Sequence, residues 1–141
     1  FLVIDTNVLF SSFRKGSKTD ELMRELRRRG FKLLVPEFVF SEFKTLKPKI
    51  SKFARLTRSD VEEAFVSLRK VIREVPELEY SKFLDEAKKI SPHKKDVPLF
   101  ALSLAFNKAP IWSREPRLRR QKIVEVLSDK EVEELLKKSE I

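Results

Sequence analysis

The opening residues Phe1-Leu2-Val3-Ile4-Asp5-Thr6-Asn7 join a fully apolar, partly β-branched run to three residues that favour turns and helix starts. An unbroken apolar run of this kind reads as a strand buried on both faces, which is how strands of helix-covered parallel sheets are built. Outward from it, strand and helix alternate. Lys18 to Arg29 sets Leu22, Met23 and Leu26 on one face at helical spacing, with Gly30 as the stop signal. Phe31-Lys32-Leu33-Leu34-Val35 is a second strand closed by Pro36, and Glu37 to Lys47 resumes helical spacing through Phe38, Val39, Phe43 and Leu46.

Ser59 to Ile90 is charged and helical in pattern, opened by the capping box Ser59-Asp60-Val61-Glu62 and broken at Pro76. It predicts two paired helices, an arm over about 59–90 of a single domain spanning 1–141. Its apolar residues Phe65, Leu68, Val71, Ile72, Phe83 and Leu84 belong to the core, with a dimer interface as the second use. Asp96 to Asn107 is a strongly apolar helix, Ile111-Trp112-Ser113 and Ile123 to Leu127 are short strands, and a last helix opens at Ser128-Asp129-Lys130-Glu131. This alternation implies an α/β fold with right-handed crossovers and a mainly parallel sheet. Sites in such sheets form outside the carboxyl ends of the strands.

With no Cys, the chain has no disulfide framework, thiolate zinc site or cysteine nucleophile, which fits a reducing cytoplasm. Its 31 Lys and Arg against 22 Asp and Glu leave a net charge of +9, so polyanions, nucleic acid first among them, are the expected partners. The charged fraction of 38% with two Gly and one Met is a composition of the hyperthermophile kind. Val97 to Phe106, the longest nearly apolar stretch, is about half of a bilayer span, so no membrane segment is expected. Gly16 and Gly30 are the only glycines and neither follows a strand, which argues against ATP and dinucleotide chemistry.

Four acids stand out by position. Asp5 directly follows the first strand, and Glu115 follows the Ile111-Trp112-Ser113 strand. Asp96 leads the most apolar helix, and Glu42 sits one turn into the helix after the second strand. Taken singly, Asp5 and Asp96 read equally well as helix caps, Glu115 as a surface ion pair and Glu42 as a solvated side chain. Taken together, the topology carries all four to one edge of the sheet. Hard oxygen ligands without His or Cys suit Mg²⁺ or Mn²⁺, and in a basic chain that points to phosphodiester hydrolysis. Lys94, Lys95, Arg114 and Arg117 are the cations nearest these acids and the phosphate-contact candidates. His93, the only histidine, falls in a loop and is not needed as a base.

In this order, Val3-Ile4-Asp5-Thr6-Asn7-Val8-Leu9, Ser41-Glu42-Phe43, the helix begun by Asp96-Val97-Pro98-Leu99-Phe100, and Ile111-Trp112-Ser113 resemble the PIN-domain ribonucleases over nearly the whole chain. The resemblance implies a three-layer α/β/α sandwich with Asp5, Glu42 and Asp96 as metal ligands. The fourth acid of the family is usually Asp, and here the matching residue is Glu115. Thr6, Asn7 and Ser113 match polar positions that orient the acids. The resemblance also implies RNA as substrate and, for stand-alone archaeal and bacterial members of this size, a toxin that pairs as a homodimer and is neutralised by a small antitoxin protein. The competing readings are a PIN scaffold that binds RNA or protein but cuts poorly, and a phosphoacceptor signalling domain.

Overall fold

Strand β1 (Leu2–Ile4) is buried throughout and organises the molecule: Leu2 and Ile4 enter one apolar cluster and Val3 the other, because successive side chains of a strand point to opposite faces. The structure is a computed structural model that describes residues 1–14 and 16–138. Four further strands, β2 (Leu33–Pro36), β3 (Ile72–Val75), β4 (Ile111–Trp112) and β5 (Val126–Leu127), complete a sheet in the order β3-β2-β1-β4-β5. All neighbouring pairs are parallel. The chain runs outward from β1 through β2 to β3, then returns to β4 on the other side of β1. The strand order therefore reverses beside β1, and the crevice at a carboxyl edge opens at such a reversal.

On one face of the sheet lie α1 (Thr6–Ser11), α2 (Lys18–Arg28), α3 (Glu37–Thr45), α5 (Arg58–Val71) and α8 (Asp129–Lys138). Val8 and Leu9, the stripe Leu22, Met23 and Leu26, and Phe40, Phe43 and Phe65 pack there with Leu2, Ile4, Leu33 and Val35. On the other face α7 (Val97–Ala105) packs Phe100, Ala101, Leu102 and Leu104 against Val3, Leu34 and Ile111. Seven of its nine residues are buried, which is why it reads apolar all round. α4 (Lys47–Ala54) continues from α3, and α6 (Leu84–Ile90) packs against α7. The arrangement is the expected α/β/α sandwich. Among the described residues, no helix is long and apolar enough to cross a membrane.

Segment 59–90 differs from its sequence reading. The capping box sits two residues earlier: Thr57 Oγ1 accepts from the Asp60 N–H at 3.1 Å, and the Asp60 carboxylate accepts from the Thr57 N–H at 3.3 Å. Helix α5 then gives way at Ile72 to β3, which pairs with β2 in the register Ile72 to Leu33 and Val75 to Pro36. Ile72 and Val75 are buried at its ends, and Pro76 and two 3₁₀ turns at 77–79 and 81–83 follow. The reason is tertiary: the open edge of β2 offers a hydrogen-bonding partner that an isolated helix lacks, and two β-branched residues accept it. Phe65, Leu68 and Ile72 lie in the core as expected, and Val71, Phe83 and Leu84 pack against it.

Candidate active site

Asp5 occupies the cap position of α1 in extended conformation, directly beyond the carboxyl end of β1. Pairing of Ile4 with Trp112 sets Ser113 beside it, and the Asp5 N–H donates to the Trp112 carbonyl at 3.0 Å. Both carboxylate oxygens of Asp5 accept hydrogen bonds, Oδ1 from the Thr6 N–H at 2.7 Å and Oδ2 from Ser113 Oγ at 2.5 Å. Ser113 Oγ in turn accepts from the Glu115 N–H at 3.0 Å, which fixes the hydroxyl as a donor toward Asp5. Burial pushes the Asp5 carboxyl above its ordinary value, the Ser113 and Thr6 hydrogen bonds oppose that rise, and the charges of Asp96 and Glu115 add to it.

Asp96 closes a 3₁₀ turn over 94–96 and precedes α7, yet its side chain makes no capping hydrogen bond. Its carboxyl is also raised, first by burial and then by Glu115, against the opposing charges of His93, Arg117 and Lys95. Glu115 behaves differently. It caps the 3₁₀ turn Pro116–Arg120, with Oε1 accepting from the Arg117 N–H at 3.2 Å and from Arg117 Nε at 3.1 Å. Those bonds hold its carboxyl below the usual range. Glu42 is exposed on α3.

All four acids line one cleft of about 820 Å³. One wall comes from α1 and α3 and is largely apolar, with Phe10, Phe38, Val39 and Leu46. The other carries His93, Lys94 and Lys95 ahead of α7 and Arg117 beyond β4. Two of the supporting residues hold Asp5, Ser113 through its hydroxyl and Thr6 through its backbone. Asn7 lines the cleft and accepts from the Arg114 N–H at 3.5 Å.

Arg114 does not line the cleft. Its guanidinium reaches Asp129 Oδ2 at 3.1 and 3.2 Å and Thr19 Oγ1 at 2.6 Å, and it bonds Ser11 Oγ. It thereby ties α1, α2 and α8 together. Trp112 Nε1 donates to the same Asp129 at 2.8 Å, so a local acid captures the cation that sequence alone sets next to the site. His93, set aside in the sequence, does line the cleft, and its Nδ1 accepts from the Lys95 N–H at 3.1 Å. Phe38 escaped the sequence reading because an aromatic at a helix start looks like core; it is 38% exposed at the cleft wall.

Among the described residues, no three Asp, Glu or His side chains converge into a ready-made ligand set. The donors are nonetheless all carboxylate oxygens, two of them desolvated and raised, and neither Asp5 nor Asp96 has an ion-pair partner among the described residues. Hard carboxylate oxygens, with no cation among the described residues acting on Asp5 and none in ion-pair contact with Asp96, fit a Mg²⁺-like cation that keeps several waters of its own.

The fold is shared with a chain of the crystal structure of VapBC2 from Rickettsia felis bound to a DNA fragment from their promoter. The two align over 90% of this chain and 97% of that one with a TM-score of 0.66 at 12% sequence identity. No curated protein matches the sequence. Residues 3–136 match the family described as the PIN domain, and with nearly the whole chain covered and its acids gathered at the strand-order reversal, this protein belongs to the PIN-domain family.

Proposed function

We propose that this chain is a metal-dependent endoribonuclease of the toxin type, hydrolysing RNA phosphodiester bonds in the cleft at the carboxyl edge of the sheet. The observation that carries the proposal is the buried, hydrogen-bonded Asp5 facing the charges of Asp96 and Glu115 with no cation paired to it among the described residues, beside a wall of Lys94, Lys95 and Arg117. Asp5 and Asp96 would hold a Mg²⁺ or Mn²⁺ ion, with Glu42 and Glu115 assisting. When bound, that ion supplies charge neutralisation on the phosphate and activation of water.

The protein's own share is orientation and charge. Ser113 and the Thr6 N–H fix both oxygens of Asp5, a support that sharpens ligand geometry. Lys94, Lys95 and Arg117 attract and position the phosphate backbone. The likeness of fold to VapBC2 supports a small antitoxin partner, and membership of the PIN family supports a homodimer acting on RNA in the cytoplasm. The test is cleavage of a mixed single-stranded RNA in EDTA, Mg²⁺ or Mn²⁺. Cleavage that requires metal and both Asp5 and Asp96 is expected; RNA bound but uncut under every condition would overturn the reading.

A second reading is favoured by two specific observations. Arg117 already engages Glu115, and the four acids form no converged ligand set among the described residues. A scaffold that binds RNA or a protein without cutting needs no such set, and the same assay separates the two.

A further inference from the structure

Between Glu42 and Asp60 the chain has no carboxylate but six cations, Lys44, Lys47, Lys49, Lys52, Arg55 and Arg58. Lys47 is paired with Glu62. The other five are exposed, and among the described residues none lies within ion-pair reach of an acid. A charged surface helix alone would need no explanation. Here a second feature coincides with it. Phe53, in the last turn of α4, is 44% exposed. Its ring centroid lies 4.8 Å from that of Phe10, and the Arg14 guanidinium sits 5.4 Å over it. Phe10 is itself part of the cleft wall. An aromatic path with cations on both sides therefore leads from the acidic cleft onto α4, where Lys49 lies one turn before Phe53 on the same face.

We propose that this ridge is an extension of the substrate site: a single RNA strand leaving the cleft stacks a flanking base on Phe53 and lays its phosphates on Arg14, Lys49 and Lys52. The inference rests on the nuclease reading for its substrate. Single-strand binding elsewhere combines these two elements, aromatic faces for bases and cations along the backbone. A helical protein partner would need several apolar anchors at helical spacing. On α4 the only exposed large apolar side chain is Phe53, since Ile50 is fully buried.

The test is binding in EDTA, so that it is independent of cleavage, with labelled oligouridylate and a ribose-phosphate strand of equal length that lacks bases. Phe53→Ala and Phe53→Leu are expected to weaken oligouridylate binding about ten-fold or more and to leave the abasic strand unaffected, with Phe53→Trp restoring affinity. Lys49→Ala with Lys52→Ala is expected to weaken both strands and flatten the salt dependence. Wild-type affinity for oligouridylate in Phe53→Ala, or equal losses for both strands, would overturn the proposal. So would failure of the wild type to bind either strand, or Phe53-dependent binding of an acidic peptide in preference to RNA. If oligouridylate binds through Phe53 but is never cut with metal present, the ridge stands and the nuclease reading falls.

Discussion

Asp5 and Glu115 occupy matching places. Each follows one of two adjacent parallel strands, and each caps the helical turn that comes next. Their electrostatics are nonetheless opposite. Asp5 is buried, its hydrogen bonds come from a neutral hydroxyl and one backbone N–H, and its carboxyl is pushed up. Glu115 is solvated, holds Arg117 by two bonds, and is pulled down. A strand-end acid is thus not one kind of group. Burial with neutral donors leaves a charge that still needs a cation, whereas a neighbouring guanidinium supplies one from within the chain.

The sharpest way to break this comparison is to neutralise each acid. Asp5→Asn or Asp96→Asn should lower metal-dependent RNA cleavage by at least about 100-fold, the upper end of what loss of mere ligand support costs, while Glu115→Gln should cost clearly less. Initial rates on a single-stranded RNA in Mg²⁺ or Mn²⁺ measure it; equal losses at Asp5 and Glu115 would erase the distinction.

Ser113→Ala removes the hydroxyl that opposes the rise at Asp5. Cleavage should fall about ten-fold, stability by roughly 1–2 kcal/mol, and the Asp5 carboxyl should titrate higher still. Carboxyl NMR titration beside chemical denaturation separates the two effects. Arg114→Ala should mainly loosen the junction of α1, α2 and α8, lowering stability by about 1 kcal/mol, with a smaller loss of RNA affinity than Lys94→Ala. A larger loss would return Arg114 to the phosphate contacts.

The smallest effect is on the pH dependence of the metal-free protein. Asp5 and Asp96 titrate above the ordinary 3.8 in the fold, so their share of stability is present below that pH and is lost as pH rises through the raised values. Glu115 titrates below its ordinary 4.5, so its share is present above 4.5 and is lost as pH falls through the lowered value. In EDTA, Asp96→Asn should therefore melt slightly higher than the wild type at neutral pH and lose less stability on going up from acid. A melting temperature unchanged at both ends of that range would mean that the crowding of acids carries no strain.

Much of this was legible because it is local. The run Leu2 to Ile4 is apolar on both faces and could be read as a central strand, and the stripe in α2 and the capping box Ser128 with Glu131 announced their helices. The positions of the four acids that line the cleft are legible too, since a carboxylate just beyond a parallel strand or at a helix start lies near the carboxyl edge. β3 was not legible, because Ile-Arg-Glu-Val continues a helical pattern until the edge of β2 claims its hydrogen bonds. Nor was the direction of Arg114, adjacent in sequence to Ser113 but drawn to Asp129.

By itself, then, the sequence determined the alternation of strands and helices, the basic surface and the edge at which the acids collect, all of which follow from periodicities and residue types within a few positions of each other. Tertiary structure alone decided which acid is buried and left without a cation. Glu115 meets Arg117 only two residues on, a local pair, whereas Asp5 meets its hydroxyl donor across a separation of 108 residues, and the burial that raises its carboxyl is a sum over neighbours that only the folded chain brings together.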